Sequence, residues 1–277
     1  MTTRPSPASH RILTESVEMT VADGSRMGGF LARPAGPGRF PGVVVAMELF
    51  GVSAHVRDVC ERLAADGYVA LAPDLYHRDA PMIELPHDAA GRERGFELLH
   101  RMTRDHALAD VRAAVDHLRT RGCARVGMAG LSVGGHVAYL AATRLDLAAV
   151  IVAYGGWIPG TDIPLGRPEP TLALTPGITG RVLVLVGAED HVVPPDHRRA
   201  IADALRAAAV RHEIAEYPGV GHGFLCDRRD TFDAAAAGDA WRRVRELLAA
   251  ELAEHGSKHG SKHGSKHGSD EGPVRSR

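Results

Sequence analysis

A chain of 277 residues with 44% hydrophobic residues, 24% charged residues and a net charge of -1 has the make-up of a soluble globule with a sizeable core. It carries no clustered basic face for nucleic acid, and no apolar run reaches the roughly 18 residues of a membrane span. Asn and Gln are absent and Lys occurs only at 258, 262 and 266, which excludes Schiff-base chemistry, a phosphate-loop lysine, a Ser-x-x-Lys acylase and N-glycosylation from the body of the chain.

In chain order, the polar start Met1 to Ile12 lacks the apolar stretch of a secretion signal. Glu15–Ala22 and Met27–Arg33, separated by Asp23-Gly24-Ser25, read as an antiparallel hairpin. Six further strands follow at Gly42–Met47, Tyr68–Ala72, Arg125–Ala129, Ala148–Ala153, Val182–Gly187 and Glu213–Tyr217. Several are continuous apolar runs, as in strands covered on both faces. Helical patterns fill the gaps at Val56–Asp66, Asp105–Arg121, Val133–Thr143, Pro195–Ala208 and Ala234–Ala253, with a further helix near Arg92–Arg101. Strands alternating with helices predict a mostly parallel eight-stranded sheet flanked by helices. The Gly- and Pro-rich segment 155–180 reads as one long surface loop. Nothing separates two cores, so 1–254 reads as a single domain. From His255 the chain repeats His-Gly-Ser-Lys, which predicts a disordered tail over 255–277. Its histidines read as a solvated extension, because an unstructured tract supplies no fixed ligand geometry.

Gly130-Leu131-Ser132-Val133-Gly134 follows an apolar strand and opens a helix, which is the context a nucleophile elbow requires. An acid and then a histidine should follow, each beyond a strand. Asp190, in Gly187-Ala188-Glu189-Asp190-His191-Val192-Val193-Pro194, and His222, in Tyr217-Pro218-Gly219-Val220-Gly221-His222, meet that order. Ser132, Asp190 and His222 therefore form a candidate catalytic triad in an α/β-hydrolase fold with no large cap domain. No His-Glu-x-x-His pair points to zinc, and no cofactor is expected. Cys60, Cys123 and Cys226 form no Cys-x-x-Cys pair and suit free thiols in a cytoplasmic protein.

With these residues in place, about 15–250 of the chain resembles the dienelactone hydrolase family. Met47-Glu48-Leu49-Phe50-Gly51-Val52, Asp66-Gly67-Tyr68 through Pro73-Asp74-Leu75-Tyr76, the elbow, the acid loop and His222-Gly223-Phe224 carry the resemblance. It implies that Glu48 lies beside the nucleophile and that the backbone N–H groups of Leu49 and Val133 form the oxyanion hole. It places the family's carboxylate-gripping Arg/Tyr pair on Arg92 and Phe96. The arginine expected four residues after the histidine is Cys226 here, with Arg228 and Arg229 nearby. The best-known members use Cys at the elbow, whereas this chain has Ser132. A carboxylate can poise a thiol but cannot ionise a serine hydroxyl, so Ser132 must pass its proton to His222. That leaves Glu48 to orient Ser132, to bind a substrate hydroxyl, or to persist as scaffold. The expected activity is hydrolysis of a small ester or lactone, with no nucleic-acid or membrane partner. Acyl transfer or peptide-end hydrolysis on the same triad, and a non-catalytic receptor on a hydrolase scaffold, are the alternatives.

Overall fold

Val43-Val44-Val45-Ala46 and Val150-Ile151-Val152-Ala153 are apolar on both sides, so each must be covered from both faces. In the computed structural model, which describes residues 10–253, every one of these residues is buried. The tail expected over 255–277 lies outside the described residues.

The strands are β1 (Ile12–Thr20), β2 (Arg26–Pro34), β3 (Gly42–Ala46), β4 (Val69–Pro73), β5 (Val126–Leu131), β6 (Ala149–Ala153), β7 (Arg181–Gly187) and β8 (His212–Tyr217). They form one sheet in the order β1-β2-β4-β3-β5-β6-β7-β8. β1 pairs antiparallel with β2, and β2 antiparallel with β4, while the remaining pairs are parallel. The mostly parallel eight-stranded α/β-hydrolase sheet expected from the sequence is therefore present. Strand ends moved where pairing extends them. β1 begins at Ile12 rather than Glu15 because it pairs through to Pro34. β5 runs on to Leu131 because Gly130 and Leu131 pair with Val152 and Ala153.

The helices are α1 (Ala54–Ala65), α2 (Ala89–Leu99), α3 (Arg104–Thr120), α4 (Val133–Ala142), α5 (Pro195–Ala207) and α6 (Ala234–Leu252). α1 and α6 cover one face of the sheet, and α3 and α4 cover the other. α2 starts at Asp88, whose carboxylate accepts from the Gly91 N–H at 2.8 Å and caps the first turn.

Segment 155–180 is not the surface loop its composition suggests. It forms 3₁₀ turns at Pro164–Gly166 and Thr171–Gly177 and buries Ile158, Ile163, Leu165, Thr171, Thr175 and Ile178. Gly- and Pro-rich composition favours exposure because buried irregular backbone needs partners for its polar groups. Here neighbouring helices supply them. Tyr139 of α4 exchanges a 2.6 Å hydrogen bond with Thr175, and Arg104 donates to the carbonyls of Leu165 and Glu169 at 3.1 and 2.6 Å. His136, fully buried on α4, bonds the Gly156 carbonyl through Nδ1 at 3.0 Å and Thr171 Oγ1 through Nε2 at 2.7 Å.

Burial pulls the pKa of His136 from 6.5 down to about 4, outweighing the raising effect of the Gly156 carbonyl. The unfolded chain thus binds a proton between pH 6.5 and 4 that the folded chain refuses. Stability from this group is present above pH 6.5 and is lost as pH falls toward 4, by about 3 kcal/mol at most. Chemical denaturation at stepped pH should show this slope, and His136→Gln should flatten it. An unchanged slope in the variant would assign the loss to other groups.

Candidate active site

The sharp passage from β5 into α4 places Ser132 at the helix N-terminus with φ 55° and ψ -117°. A non-glycine residue holds this left-handed geometry only when its surroundings enforce it. Both flanking glycines are required by close approach: a Cβ on Gly130 would overlap the Gly134 carbonyl, and one on Gly134 would overlap the Ala46 carbonyl of β3. The elbow is thus wedged between neighbouring strands, with Ser132 only 8% exposed.

The three residues expected to act together do meet. Ser132 Oγ lies 2.9 Å from His222 Nε2. On the opposite side of the ring, His222 Nδ1 lies 2.9 Å from Asp190 Oδ2 and 3.1 Å from Oδ1. The ionised carboxylate only accepts, so Nδ1 carries the proton and Nε2 is free to accept from the serine hydroxyl. Asp190 is buried and is itself held by the backbone N–H groups of Val192 and Val193 at 2.8 and 3.2 Å. Tyr154, the residue just after β6, packs edge-on against the His222 ring at 5.0 Å.

Val133 opens α4 beside Ser132, where the helix dipole favours developing negative charge. Leu49 sits in the tight turn after β3, closed by the Gly51 N–H donating to the Glu48 carbonyl at 3.2 Å. The buried Tyr76 hydroxyl donates to the Leu49 carbonyl at 3.0 Å and holds that turn in place. Tyr76 ends the sequence segment Pro73-Asp74-Leu75-Tyr76, whose resemblance to the family is a signal for it, whereas no local sequence signal marks Tyr154.

Glu48 is fully buried. Its Oε2 accepts from Arg229 Nη2 at 3.1 Å, while Oε1 and the nearby Tyr154 hydroxyl have no hydrogen-bond partner. Burial, and next the Glu48 charge, push the Tyr154 phenol well above its ordinary pKa, so it stays protonated. Arg229 also lies over the Phe50 ring at 4.8 Å. The sequence could not choose between Arg228 and Arg229. Consecutive residues of this loop diverge: Arg228 pairs outward with Asp58 at 2.6 Å, and Arg229 turns in to Glu48. Cys226 is buried, and burial raises its thiol pKa, which keeps it an inert thiol.

Arg92 and Phe96 stand on α2, which packs against the Leu49 turn so closely that a Cβ on Gly95 would overlap Leu49. Arg92 is exposed, and Phe96 is half-buried and meets Trp157 edge-on at 6.2 Å. Together with His87 and Asp88 they wall a shallow recess of about 470 Å³. Among the described residues no group of three or more His, Cys, Asp or Glu gathers into a metal site, and no helix is long and apolar enough to cross a membrane.

The same arrangement has named relatives. A candidate carboxymethylenebutenolidase of Synechocystis sp. is 37% identical over 234 residues, covering 82% of this chain and 93% of the relative. The carboxymethylenebutenolidase of Pseudomonas putida is 30% identical over 241 residues, covering 86% and 97%. The crystal structure of a candidate dienelactone hydrolase from Klebsiella pneumoniae superposes with a TM-score of 0.79 at 31% identity, covering 87% of this chain and 99% of that one. Residues 27–252 match the family model described as the dienelactone hydrolase family. The chain is thus a hydrolase belonging to the dienelactone hydrolase family.

Proposed function

We propose that this protein hydrolyses a small ester or lactone through an acyl-enzyme on Ser132. The observation that carries this reading is the 2.9 Å approach of Ser132 Oγ to His222 Nε2, with Asp190 held on the other ring nitrogen. As Ser132 Oγ attacks the carbonyl carbon, its proton passes to His222 Nε2, and Asp190 steadies the resulting imidazolium. The carbonyl oxygen becomes an oxyanion that accepts from the backbone N–H groups of Leu49 and Val133. His222 then returns the proton to the leaving alkoxide, and the C–O bond breaks. Water enters, gives a proton to His222 and attacks the acyl carbon, and Ser132 recovers its proton as the acid departs.

Glu48 cannot be the base for a serine hydroxyl, whose pKa lies far above that of a carboxylate. Clamped by Arg229, it instead braces the turn that carries Leu49. Arg92 and Phe96 on the α2 recess would meet the remote part of the substrate, and the exposed guanidinium there suits an acidic substituent. No metal or cofactor enters the cycle. Three buried free thiols suit a reducing compartment such as the cytoplasm.

Labelling of the folded protein with a fluorophosphonate probe tests the nucleophile. One adduct per chain is expected, located by mass spectrometry on the peptide containing Ser132. Absence of labelling, or an adduct on another residue, would overturn the acyl-enzyme reading and favour a receptor on a hydrolase scaffold.

A further inference from the structure

Ser132 is flanked at the carboxyl ends of the strands by one segment from each neighbouring strand. On one side, a Cβ on Gly134 would lie 2.5 Å from the carbonyl of Met47, which leads from β3 into the Leu49 turn. On the other, the Ser132 N–H donates at 3.0 Å to the carbonyl of Ala153, the last residue of β6. From there the chain runs Tyr154-Gly155-Gly156-Trp157. β5 lies between β3 and β6 in the sheet. A side-chain pair that joins the Leu49 turn to this segment therefore crosses the line of β5 beyond its end, where Ser132 stands.

Phe96 and Trp157 make that join. Phe96 follows Gly95, whose Cβ would lie 2.6 Å from Leu49 Cγ, so this end of the pair rests on the turn. The two rings meet edge-on, with centroids 6.2 Å apart and planes at 86°, a favourable aromatic geometry. Both side chains are half-buried, so each keeps surface for a further contact. Trp157 has a φ of 59°, a left-handed setting that glycine takes freely and a bulky residue takes only under constraint. The neighbouring contacts supply the constraint. His136 Nδ1 donates to the Gly156 carbonyl at 3.0 Å, and a Cβ on Gly156 would lie 2.6 Å from Val192 of the acid loop. Glycine at 157 would relieve the strain, and a half-buried ring is not demanded by the core. Strain kept at such a position points to function.

We propose that Phe96 and Trp157 form an aromatic arch over Ser132 that selects substrates with an aromatic acyl group, with Trp157 the specificity-determining residue. In its role in hydrolysis the arch rests on the reading of Ser132 as nucleophile. His222, which protonates the leaving alkoxide, comes from the β8 side of Ser132, whereas Phe96 stands on the β3 side. The acyl half of the substrate is thus the half that meets the arch. An aryl ring entering there finds a ring edge and a ring face, contacts that a saturated ring of the same size cannot match.

Hydrolysis of p-nitrophenyl phenylacetate and p-nitrophenyl cyclohexylacetate, which share a leaving group and a six-membered ring, tests the arch. Trp157→Gly, which suits the left-handed backbone, should lower the ratio of their kcat/KM values about fivefold relative to the parent protein. Comparing ratios cancels the intrinsic reactivity of each ester. Trp157→Phe, which keeps an aromatic ring, should retain most of the preference. A second readout needs no turnover. Trp157 and Trp241 are the two tryptophans of the chain, so in a Trp241→Phe, Ser132→Ala protein the fluorescence reports Trp157. Phenylacetamide should change that fluorescence at about fivefold lower concentration than cyclohexylacetamide. This result in a parent protein that hydrolyses neither ester would count against the Ser132 reading and keep the arch as a binding site. An ester ratio undiminished in Trp157→Gly, or equal binding of the two amides, would overturn the arch.

Discussion

Ser132→Ala is expected to lower kcat/KM for p-nitrophenyl acetate by about 10⁴-fold or more, with the melting temperature little changed. The size of the loss follows from what remains. The backbone N–H groups of Leu49 and Val133 would still bind an oxyanion, and the recess would still hold substrate, but His222 would have no hydroxyl to activate. Such remnants typically leave about 10³- to 10⁴-fold catalysis over water. Stability should hold because the Ser132 side chain makes its hydrogen bond to His222, which keeps its own bonds to Asp190. Initial-rate measurements beside a thermal melt separate the two effects. Activity within about tenfold of the parent protein would remove Ser132 as nucleophile.

Arg229→Met should cost about 3 kcal/mol of folding stability, the second large effect. Glu48 is fully buried, and Arg229 supplies the ion pair on its Oε2. Removing that cation leaves an uncompensated carboxylate among Phe50, Tyr154 and Cys226, where water cannot replace the lost contact. Met keeps a long apolar side chain but also loses the guanidinium over Phe50, so the second substitution is needed to separate the ion pair from that contact. Adding Glu48→Gln removes the orphaned charge and should recover at least half of the loss. Urea denaturation of the two single variants and the double variant closes the cycle. A double variant no more stable than Arg229→Met would show that the pair is not what stabilises this site.

Much of the fold and of the site could be read locally because those signals are local. Continuous apolar runs such as Val182 to Val186 have one stable environment, a strand covered on both faces. The spacing of glycines around Ser132 encodes a steric demand, and Asp190 and His222 follow strands in the order the topology requires. The burial of segment 155–180 is not legible locally, for the opposite reason. Its glycines and prolines describe an irregular backbone, but whether such a backbone is buried depends on His136, Tyr139 and Arg104, which lie 20 to 65 positions before the residues they bond.

Periodicity and a few adjacent residues suffice for the parallel sheet and the elbow, and they single out Ser132, Asp190 and His222 as candidates. Tertiary packing sets which of Arg228 and Arg229 answers Glu48, brings Tyr76 to the Leu49 turn and places Tyr154 behind His222. These features depend on which way a side chain leaves a loop and on what a distant element brings beside it. Such outcomes are set by packing across the sheet rather than by neighbours along the chain.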